Sequence, residues 1–408
     1  MNRWVRPPDL RVGINGRFLR YPTTGMGQHS YQLLKALVNG ESQSQYVVLG
    51  PGPAATIAHS ADLDRLASRL RNGKGGSLTV ERIERLWWEQ VGVVGAARGQ
   101  RADLLHAPYF SAPLVAPCPV VVTIHDVITL LLPEYRDRLM NRWYTALVAL
   151  AARRAAAIIA VSECSRRDIS RVLGIPLARI SVIGNAVDES FRPVNDDGVL
   201  AAVRSRYGLP DRFILYLGGF DVRKNVGRLL EAYAGLPQAL RTAHPLVIAG
   251  RPHLVGHPLY PDPRPKIAAL EIEDTVTLVG EVAEDDKPAF YSAAHLFAWP
   301  SLYEGFGIPI LESMACGTPV LTSKTSSLPE VAGGAACLVD PYDVPAMTEA
   351  MAALLGDPPR LAELRELGLK RAADFSWARA AQETAAVYEQ VLHRPQSPAA
   401  PYQAPAAP

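Results

Sequence analysis

Two glutamates, Glu304 and Glu312, stand eight residues apart on either side of a Gly-Phe-Gly turn. A strand-like apolar run at 296–299 precedes the pair, and a helix-like run at 309–316 follows the turn. Glu304 is therefore expected at a strand's carboxyl end, and Glu312 about two turns into a helix. Ligands of open α/β sheets bind at that edge, where helix N-termini favour anions. Because an ionised carboxylate accepts hydrogen bonds from two hydroxyls at once, the pattern predicts a site for a sugar beside a phosphate.

A second cluster, Gly-Gly-Phe-Asp-Val-Arg-Lys-Asn at 218–225, follows the strand-like run 213–217. Gly219 would let the backbone approach a ligand closely, Arg223 can grip a phosphate with two hydrogen bonds, and Lys224 adds a flexible point charge. An adjacent Arg-Lys pair is also common on solvated surfaces, so a diphosphate site and an ordinary surface both remain open. The place of the cluster at a strand's carboxyl end gives the diphosphate the same weight as the ordinary surface.

Two further clusters belong to the first half of the chain. Gly25 and Gly27 lie between the first strand and the first helix, where backbone amides either cradle a phosphate or form a simple turn. His125 and Asp126 end an apolar strand, a position that suits a site better than a core. A histidine held by a backbone partner is the plainer alternative. His106 ends another strand, and we interpret it as structural.

Short apolar runs alternate with helical patterns along the chain, which is typical of parallel sheets wound with helices. The predicted strands are 11–15, 46–49, 104–106, 120–125, 158–161 and 180–183 in a first unit, and 213–217, 246–249, 276–278, 296–299, 320–322 and 336–339 in a second. The predicted helices include 28–38, 81–94, 136–156 and 377–393. A break rich in Pro, Asp and Gly at 191–198 separates the units. The fold class is therefore α/β, with two units and a cleft between their sheets.

Composition narrows the class of protein. The chain has 408 residues, 48% of them hydrophobic and 20% charged, which indicates a globular protein of two domains. A net charge of +2 argues against a nucleic-acid partner. The four cysteines have neither metal nor redox spacing and are interpreted as structural thiols. The N-terminus has no signal-peptide pattern, and the longest apolar stretch is too interrupted to cross a bilayer, so we expect a cytoplasmic protein.

Taken in order, the motifs resemble those of a known family. The early TTGMGQ, TIHD, AVSECSRRDI, VIGNAVD, the GGFDVRKN loop and the Glu304/Glu312 pair are similar to motifs of the retaining glycosyltransferases of family 4. The similarity runs from about residue 11 to residue 393. Within the family, the motifs look like those of bacterial polysaccharide mannosyltransferases. It implies the GT-B fold, in which two Rossmann-like domains with parallel sheets face an inter-domain cleft.

The resemblance also implies the domain limits. Residues 1–193 would form the N-terminal, acceptor-side domain, and residues 199–375 the C-terminal domain that binds the nucleotide sugar. A helix at 376–394 would cross back to the N-terminal domain. The tail at 395–408 is rich in Pro and Ala and is predicted to be disordered.

In the second domain, the resemblance assigns Glu304 to the donor sugar and Glu312 to the ribose hydroxyls of the nucleotide. The backbone of Phe306, Gly307 and Ile308 would lie against the sugar and the diphosphate.

Further roles follow from the other motifs. Lys224 would bind the diphosphate, while Gly25 and Gly27 would close on it from the first domain. His125, followed by Asp126, would lie near the reacting sugar and the acceptor. The catalytic residues would then be His125, Glu304 and Lys224.

One position departs from the family. Many members carry an arginine directly after the glycine where this chain has Gly219, and Arg223 is the candidate to replace that charge. Together Lys224 and Arg223 would stabilise the negative charge that develops on the departing diphosphate.

The family generally works without a catalytic metal, so the resemblance implies no metal and no cofactor, with the nucleotide sugar as co-substrate. Asp62 and Asp64 have the spacing of an Asp-x-Asp motif but are interpreted as helix surface. The implied activity is retaining transfer of a hexose to a glycan or a lipid-linked glycan in cell-surface polysaccharide biosynthesis. Mannose from GDP-mannose is the first choice, with rhamnose, glucose and galactose open.

Two alternatives from other classes stay open. A nucleotide-sugar epimerase of the same fold would turn over the donor alone, and a non-catalytic sugar-binding scaffold would bind the nucleotide without turnover. A lipid-linked acceptor would further imply peripheral contact with the inner face of the plasma membrane through basic and aromatic residues. The candidates for that contact are Arg65, Arg69, Arg71, Lys74, Trp87 and Trp88.

Overall fold

The structure is a computed structural model that describes residues 10–21, 24–40, 44–50, 53–71, 84–135, 139–250 and 256–393. Two sheets organise these residues. The first has seven strands in the order β3-β2-β1-β4-β5-β6-β7, and the second has six in the order β10-β9-β8-β11-β12-β13. The strands of both sheets pair in parallel, except that β3 pairs antiparallel with β2. The α/β class with two parallel-sheet domains is thereby confirmed.

The strands of the first sheet are β1 Arg11–Asn15, β2 Gln45–Leu49, β3 Ala55–Ile57, β4 Leu104–Ala107, β5 Val120–Ile124, β6 Ala157–Ala160 and β7 Ile180–Val182. Those of the second are β8 Ile214–Leu217, β9 Leu246–Ala249, β10 Val276–Gly280, β11 Leu296–Trp299, β12 Val320–Ser323 and β13 Cys337–Val339. The predicted strands agree with these bounds to within one or two residues. The edge strand β3 was not predicted, because three residues with one buried side chain carry little hydrophobic pattern.

The α-helices of the first domain are α1 Gly25–Asn39, α2 Ser60–Arg71, α3 Val93–Gly99, α4 Ile128–Leu131, α5 Leu139–Arg154 and α6 Glu163–Leu173. Those of the second are α7 Asp197–Tyr207, α8 Val226–Ala234, α9 Gln238–Ala243, α10 Arg264–Ala269, α11 Lys287–Ala293, α12 Ile308–Ala315, α13 Leu328–Ala332, α14 Val344–Leu355 and α15 Pro358–Ala373. The last helix is α16 Trp377–His393.

Helix ends explain where the predicted helices differ from the observed ones. Thr24 caps α1 by accepting a hydrogen bond from the Gly27 N–H, so this helix begins three residues before the predicted start. The helix predicted at 81–94 contains a π-helical turn, Trp88–Gly92, and continues to residue 99. Residues 81–83 and 136–138 of the predicted helices lie outside the described residues, as does the tail from residue 394.

The last helix packs on the first domain although it follows the second in sequence. Ala380, Val387 and Tyr388 of α16 belong to the hydrophobic cluster that covers one face of the first sheet. The Tyr388 hydroxyl also lies 2.7 Å from His106 Nδ1 on β4. Two chain crossings, near residue 190 and near residue 376, therefore connect the two sheets, while the domain limits themselves stay a prediction.

Candidate active site

The segment 303–307 crosses from β11 to α12 at the carboxyl edge of the second sheet. Gly307 adopts φ +114°, a left-handed conformation that favours glycine, and α12 begins directly after it. The segment is held from behind by Ser327, whose hydroxyl lies 2.9 Å from the Glu304 carbonyl and 2.7 Å from the Phe306 carbonyl. The side chain of Glu304 is buried, so its carboxylate requires partners of opposite charge.

Those partners are the two cations predicted for the diphosphate. Arg223 Nη1 lies 2.8 Å from Glu304 Oε2, and Lys224 Nζ lies 2.6 Å from Oε1. The Lys224 ammonium also sits 4.5 Å from the centre of the Trp299 ring, a cation–π arrangement. The structure thus brings Glu304, Arg223 and Lys224 into one buried cluster, whereas the sequence had treated them as separate motifs.

The cluster depends on how the loop after β8 folds. Asp221 accepts a hydrogen bond from the Arg223 N–H at 3.0 Å and caps a single 3₁₀ turn, Val222–Lys224. Asn225 then adopts φ +62°, and its amide nitrogen donates to the carbonyls of Pro300 (3.0 Å) and Pro341 (2.7 Å). This loop is therefore tied to the segment that leads to Glu304, which fixes both cations against the carboxylate.

The charges of the cluster shift its proton equilibria. Burial opposes ionisation of Glu304, but Lys224 and Arg223 outweigh it and lower the pKa of Glu304 to about 2. Burial and the neighbouring Arg223 lower the pKa of Lys224 to about 8, against the opposing effect of Glu304. At neutral pH the cluster therefore carries one anion and two cations.

Glu312 lies only four residues after Ile308, the first residue of α12, which is a little over one turn, so the expectation of two turns was wrong. Its carboxylate is buried, and Oε2 accepts a hydrogen bond of 2.8 Å from the Tyr291 hydroxyl on α11. Burial raises the pKa of Glu312. The sequence analysis missed Tyr291, since nothing local relates two residues that are 21 positions apart.

The first domain contributes His125 at the end of β5. Its Nε2 lies 3.1 Å from the Pro108 carbonyl, which only accepts hydrogen bonds, so Nε2 carries the proton. Burial lowers the pKa of His125, which keeps the ring neutral at pH 7 and leaves Nδ1 as an acceptor. His125 therefore has both features considered from the sequence, because it lies at a strand's carboxyl end and has a backbone hydrogen-bond partner. Asp126 accepts a hydrogen bond from the Ile128 N–H at 3.1 Å.

Close packing joins the two domains at this point. A Cβ added at Gly305 would lie 2.2 Å from the His125 carbonyl oxygen, so the turn that carries Glu304 directly abuts the end of β5. The Phe306 ring meets Phe375 at 5.6 Å, near the second chain crossing.

The remaining predicted glycines have different surroundings. A Cβ at Gly27 would lie 2.0 Å from the Tyr21 carbonyl, and the Gly27 N–H is already used by the Thr24 cap, so packing alone explains this glycine. Around Gly25 and Gly219, by contrast, no heavy atom of the described residues lies within 4 Å of an added Cβ. Gly219 therefore has room for a side chain, although this chain places its arginine four positions later.

Two other features lie outside this cluster. Within the described ranges, no group of three or more His, Cys, Asp or Glu side chains could hold a metal ion. A cavity of about 1650 Å³ lies between α1 and α16, lined by Lys35, Asp188 and Trp377 among others. Where strands reach this cavity, they do so near their amino ends, at Leu10 and Tyr46, so we place the candidate site at the Glu304 cluster at the carboxyl edge of the second sheet.

The fold and this site define a GT-B glycosyltransferase. The family model for glycosyl transferases group 1 matches residues 204–371, and the model for Glycosyltransferase Family 4 matches residues 23–191. The chain therefore belongs to glycosyltransferase family 4, as its motifs suggested. No helix among the described residues is long and apolar enough to cross a membrane.

Individual relatives agree with this family. The chain is 30% identical over 378 residues to an O-antigen chain mannosyltransferase B of Escherichia coli, covering 91% of this chain and 97% of the relative. Its fold is similar to that of sucrose-phosphate synthase from Thermosynechococcus elongatus (TM-score 0.71, 21% identity, 94% and 99% of the two chains). It is also similar to that of Anabaena HepE in complex with UDP and glucose (TM-score 0.69, 20% identity, 93% and 100%).

Proposed function

We propose that this glycosyltransferase moves a mannosyl residue from GDP-mannose to a glycan or lipid-linked glycan in the biosynthesis of a surface polysaccharide. We further propose that transfer proceeds with retention of configuration and without a catalytic metal. The observation that carries the proposal is the buried cluster of Glu304, Arg223 and Lys224 at the carboxyl edge of the second sheet. The similarity to an O-antigen chain mannosyltransferase supports mannose and a polysaccharide product.

The cluster suits the leaving group. Breaking the sugar–phosphate bond builds negative charge on the diphosphate, and the charges of Arg223 and Lys224 are fixed in place before the reaction begins. An entering diphosphate competes with Glu304 for both cations. Glu304 is then free to accept hydrogen bonds from hydroxyls of the donor sugar, which is the role that the family resemblance implies.

Retention is best served by attack on the same face of the sugar. The acceptor oxygen bonds to the anomeric carbon as the bond to phosphate breaks, and the departing phosphate oxygen takes the acceptor proton. Glu304 is a poor covalent nucleophile, because two cations lower its pKa to about 2. Neutral His125 offers its Nδ1 as a hydrogen-bond acceptor for a sugar hydroxyl at the first-domain side of the cleft.

Glu312 is suited to the nucleotide. Its Tyr291 hydrogen bond fixes one carboxylate oxygen and leaves lone pairs for two ribose hydroxyls. These interactions would be made equally in the ground state and the transition state, so Glu312 serves binding rather than the chemical step.

We also propose peripheral contact of the first domain with an anionic membrane, through fewer of the candidate residues than expected. Trp88 is buried and its indole N–H lies 3.1 Å from Asn15 Oδ1, so it cannot reach a membrane. Trp87 is 59% exposed, and Arg65 and Arg69 are exposed on α2. The side chain of Arg71 and the whole of Lys74 lie outside the described residues. Flotation with anionic vesicles should recover the protein at low salt and lose Trp87→Ala, whereas Arg360→Ala on the second domain should float normally.

The deciding experiment measures nucleotide release from a panel of nucleotide sugars, with and without glycan acceptors. We expect an acceptor to stimulate nucleotide release from GDP-mannose. Glu304→Ala and Lys224→Ala should each lower this release about a hundredfold or more. The anomeric configuration of the product by NMR tests retention, and activity in the presence of EDTA tests metal independence. An isomerised sugar formed without acceptor would indicate an epimerase, and nucleotide binding without any turnover would indicate a scaffold.

A further inference from the structure

Glu330, on α13 of the second domain, lies across the N-terminus of α6 in the first domain. Its Oε1 accepts a hydrogen bond from the Glu163 N–H at 2.8 Å, and its Oε2 accepts one from the Cys164 N–H at 3.2 Å. A helix leaves these first-turn amides without partners, and its positive end favours a carboxylate. The N-cap Ser162 accepts from the Ser165 N–H, so it does not serve the two amides that Glu330 binds.

The same turn of α6 also holds the backbone of the Glu304 segment. The Ser162 hydroxyl lies 2.7 Å from the Gly305 carbonyl, so this side chain caps its own helix and donates to the other domain. The Ser165 hydroxyl lies 3.0 Å from the same carbonyl and 2.8 Å from that of His125. One helix turn therefore holds Gly305, the residue after Glu304, against the end of β5.

A third contact lies one turn further along α6. Tyr303 immediately precedes Glu304 in sequence, and its hydroxyl donates to Asp168 Oδ2 at 2.9 Å. Contacts from α6 therefore reach both neighbours of Glu304, while Glu330 anchors the helix terminus to the second domain. These groups lie in three separate stretches of the chain, at 162–168, at 303–305 and at 330, which only the fold brings together.

We propose that Glu330 is a positioning residue, which docks the first turn of α6 onto the second domain and so holds the Glu304 segment in its reactive register. Glu330 touches no reacting atom in this mechanism and acts through α6 and Gly305. Separation of the two domains would remove Glu330 from the helix terminus and expose both amides to water. The link to turnover rests on the proposed role of Glu304, whereas the docking itself does not.

Hydrogen exchange tests the docking without any substrate. In Glu330→Gln we expect amide exchange to accelerate about fivefold or more in two peptides, one covering 163–168 and one covering 303–307. Glu366→Gln, a change at an exposed glutamate of α15, should alter neither peptide. Acceleration confined to 163–168 would reduce Glu330 to a local helix cap and overturn the proposal, as would no acceleration at all.

A proline at position 163 removes one hydrogen-bond donor of Glu330 and leaves Glu330 itself unchanged. Glu163 is the first residue of α6, where proline is tolerated, and the preceding Ser162 has ψ 161°, as proline requires of its predecessor. Glu163→Pro deletes the N–H that Glu330 binds, while Glu163→Ala keeps the N–H and loses the same side chain. We expect Glu163→Pro, but not Glu163→Ala, to reproduce the exchange pattern of Glu330→Gln. Additive effects in the double variant would contradict a shared contact.

Turnover is the measurement that a purely structural role of Glu330 would leave unchanged. Once a donor is identified, Glu330→Gln and Glu163→Pro should lower kcat about tenfold with the donor KM within about twofold. The ratio of donor hydrolysis to transfer should rise, because looser closure admits water. An unchanged kcat and an unchanged ratio, at a wild-type melting temperature, would overturn the positioning role. Failure of every donor would count against the proposed function and leave the exchange result standing.

Discussion

The Lys224 ammonium and the Glu304 carboxylate form a buried ion pair, with Nζ 2.6 Å from Oε1. Glu304 therefore balances, before any substrate is bound, one of the two positive charges that the proposed diphosphate would later neutralise. Arg223 completes the arrangement from the other carboxylate oxygen at 2.8 Å. We therefore expect the candidate site to respond to pH, to an added diphosphate and to changes in the loop that carries Arg223 and Lys224.

Removing Glu304 should lower the stability of the protein and make it more sensitive to a bound nucleoside diphosphate. Glu304→Ala leaves Lys224 without its carboxylate and Arg223 with only Asp221, whose Oδ1 lies 3.6 Å from Nε. Removing one partner of a buried pair typically costs about 3–5 kcal/mol of unfolding free energy. A nucleoside diphosphate supplies the missing negative charge. Thermal unfolding should therefore show a lower melting temperature for Glu304→Ala and a larger stabilisation by GDP than in the wild type. An equal shift with GDP in both proteins would mean that the cations do not bind the diphosphate.

Lys224→Ala should remove transition-state stabilisation. Loss of one group that stabilises the developing charge typically costs on the order of a hundredfold in kcat. The matched control is Lys324→Ala, because Lys324 is an exposed lysine of the same domain that pairs with Asp340. Steady-state kinetics should show near wild-type activity for the control. Loss confined to KM in Lys224→Ala would indicate ground-state binding instead.

Activity should fall in alkaline solution. The pKa of Lys224 is lowered to about 8 by burial and Arg223, so the lysine is charged below pH 7 and neutral above pH 9. We expect kcat/KM to fall about tenfold per pH unit above this pKa, because the neutral amine cannot stabilise the diphosphate. Glu304 opposes the shift, so the decline in Glu304→Gln should begin at lower pH. A pH profile that is flat from 7 to 10 would exclude Lys224 as the titrating group.

Two glycines of the site should respond in opposite ways to alanine. Gly219→Ala should keep activity within about twofold, since the added methyl group meets no described atom within 4 Å. Gly305→Ala should lose activity, because its Cβ would lie 2.2 Å from the His125 carbonyl and push the domains apart. Kinetics and melting temperatures of the two variants check this pair. A fully active Gly305→Ala would show that the close contact is not needed for turnover.

Tyr291→Phe should weaken nucleotide binding without slowing the chemical step. The variant removes the hydroxyl that holds Glu312 Oε2 and further favours protonation of this buried carboxyl, whose pKa burial already raises. We expect the donor KM to rise with kcat nearly unchanged, the pattern of lost uniform binding. Calorimetric titration with GDP should show the same loss. A selective fall in kcat would place Glu312 closer to the reacting bond than we propose.

Tyr388→Phe should destabilise the fold and spare the chemistry. The Tyr388 hydroxyl partners buried His106, whose other nitrogen lies 2.8 Å from Thr123 Oγ1. Leaving His106 Nδ1 without this partner should cost about 1–3 kcal/mol of unfolding free energy, measured by urea denaturation. Tyr342→Phe, a change at a 60% exposed residue, is the control and should have no such effect. Equal stability of Tyr388→Phe and wild type would mean that α16 is held by apolar packing alone.

The sequence by itself determined the α/β class, nearly every strand and the residue types of the site. Buried parallel strands are short apolar runs with a recognisable pattern. The ligand-binding loops at their carboxyl ends are recognisable here by their glycines and charged residues. Glu304, Lys224 and His125 were therefore identifiable one by one. Local pattern failed where the signal was short, as at β3. The start of α12 was predicted to within one residue, but Glu312 lies just over one turn beyond it and not two.

Tertiary structure decided which of these residues meet. The pairing of Glu304 with Arg223 and Lys224 joins residues about 80 positions apart, and Glu330 reaches an α-helix 166 positions earlier. Such contacts depend on the order of strands in each sheet and on how the two domains pack, which no local periodicity encodes. The pKa values of Glu304 and Lys224 follow from those contacts, since burial and neighbouring charge are properties of the folded chain.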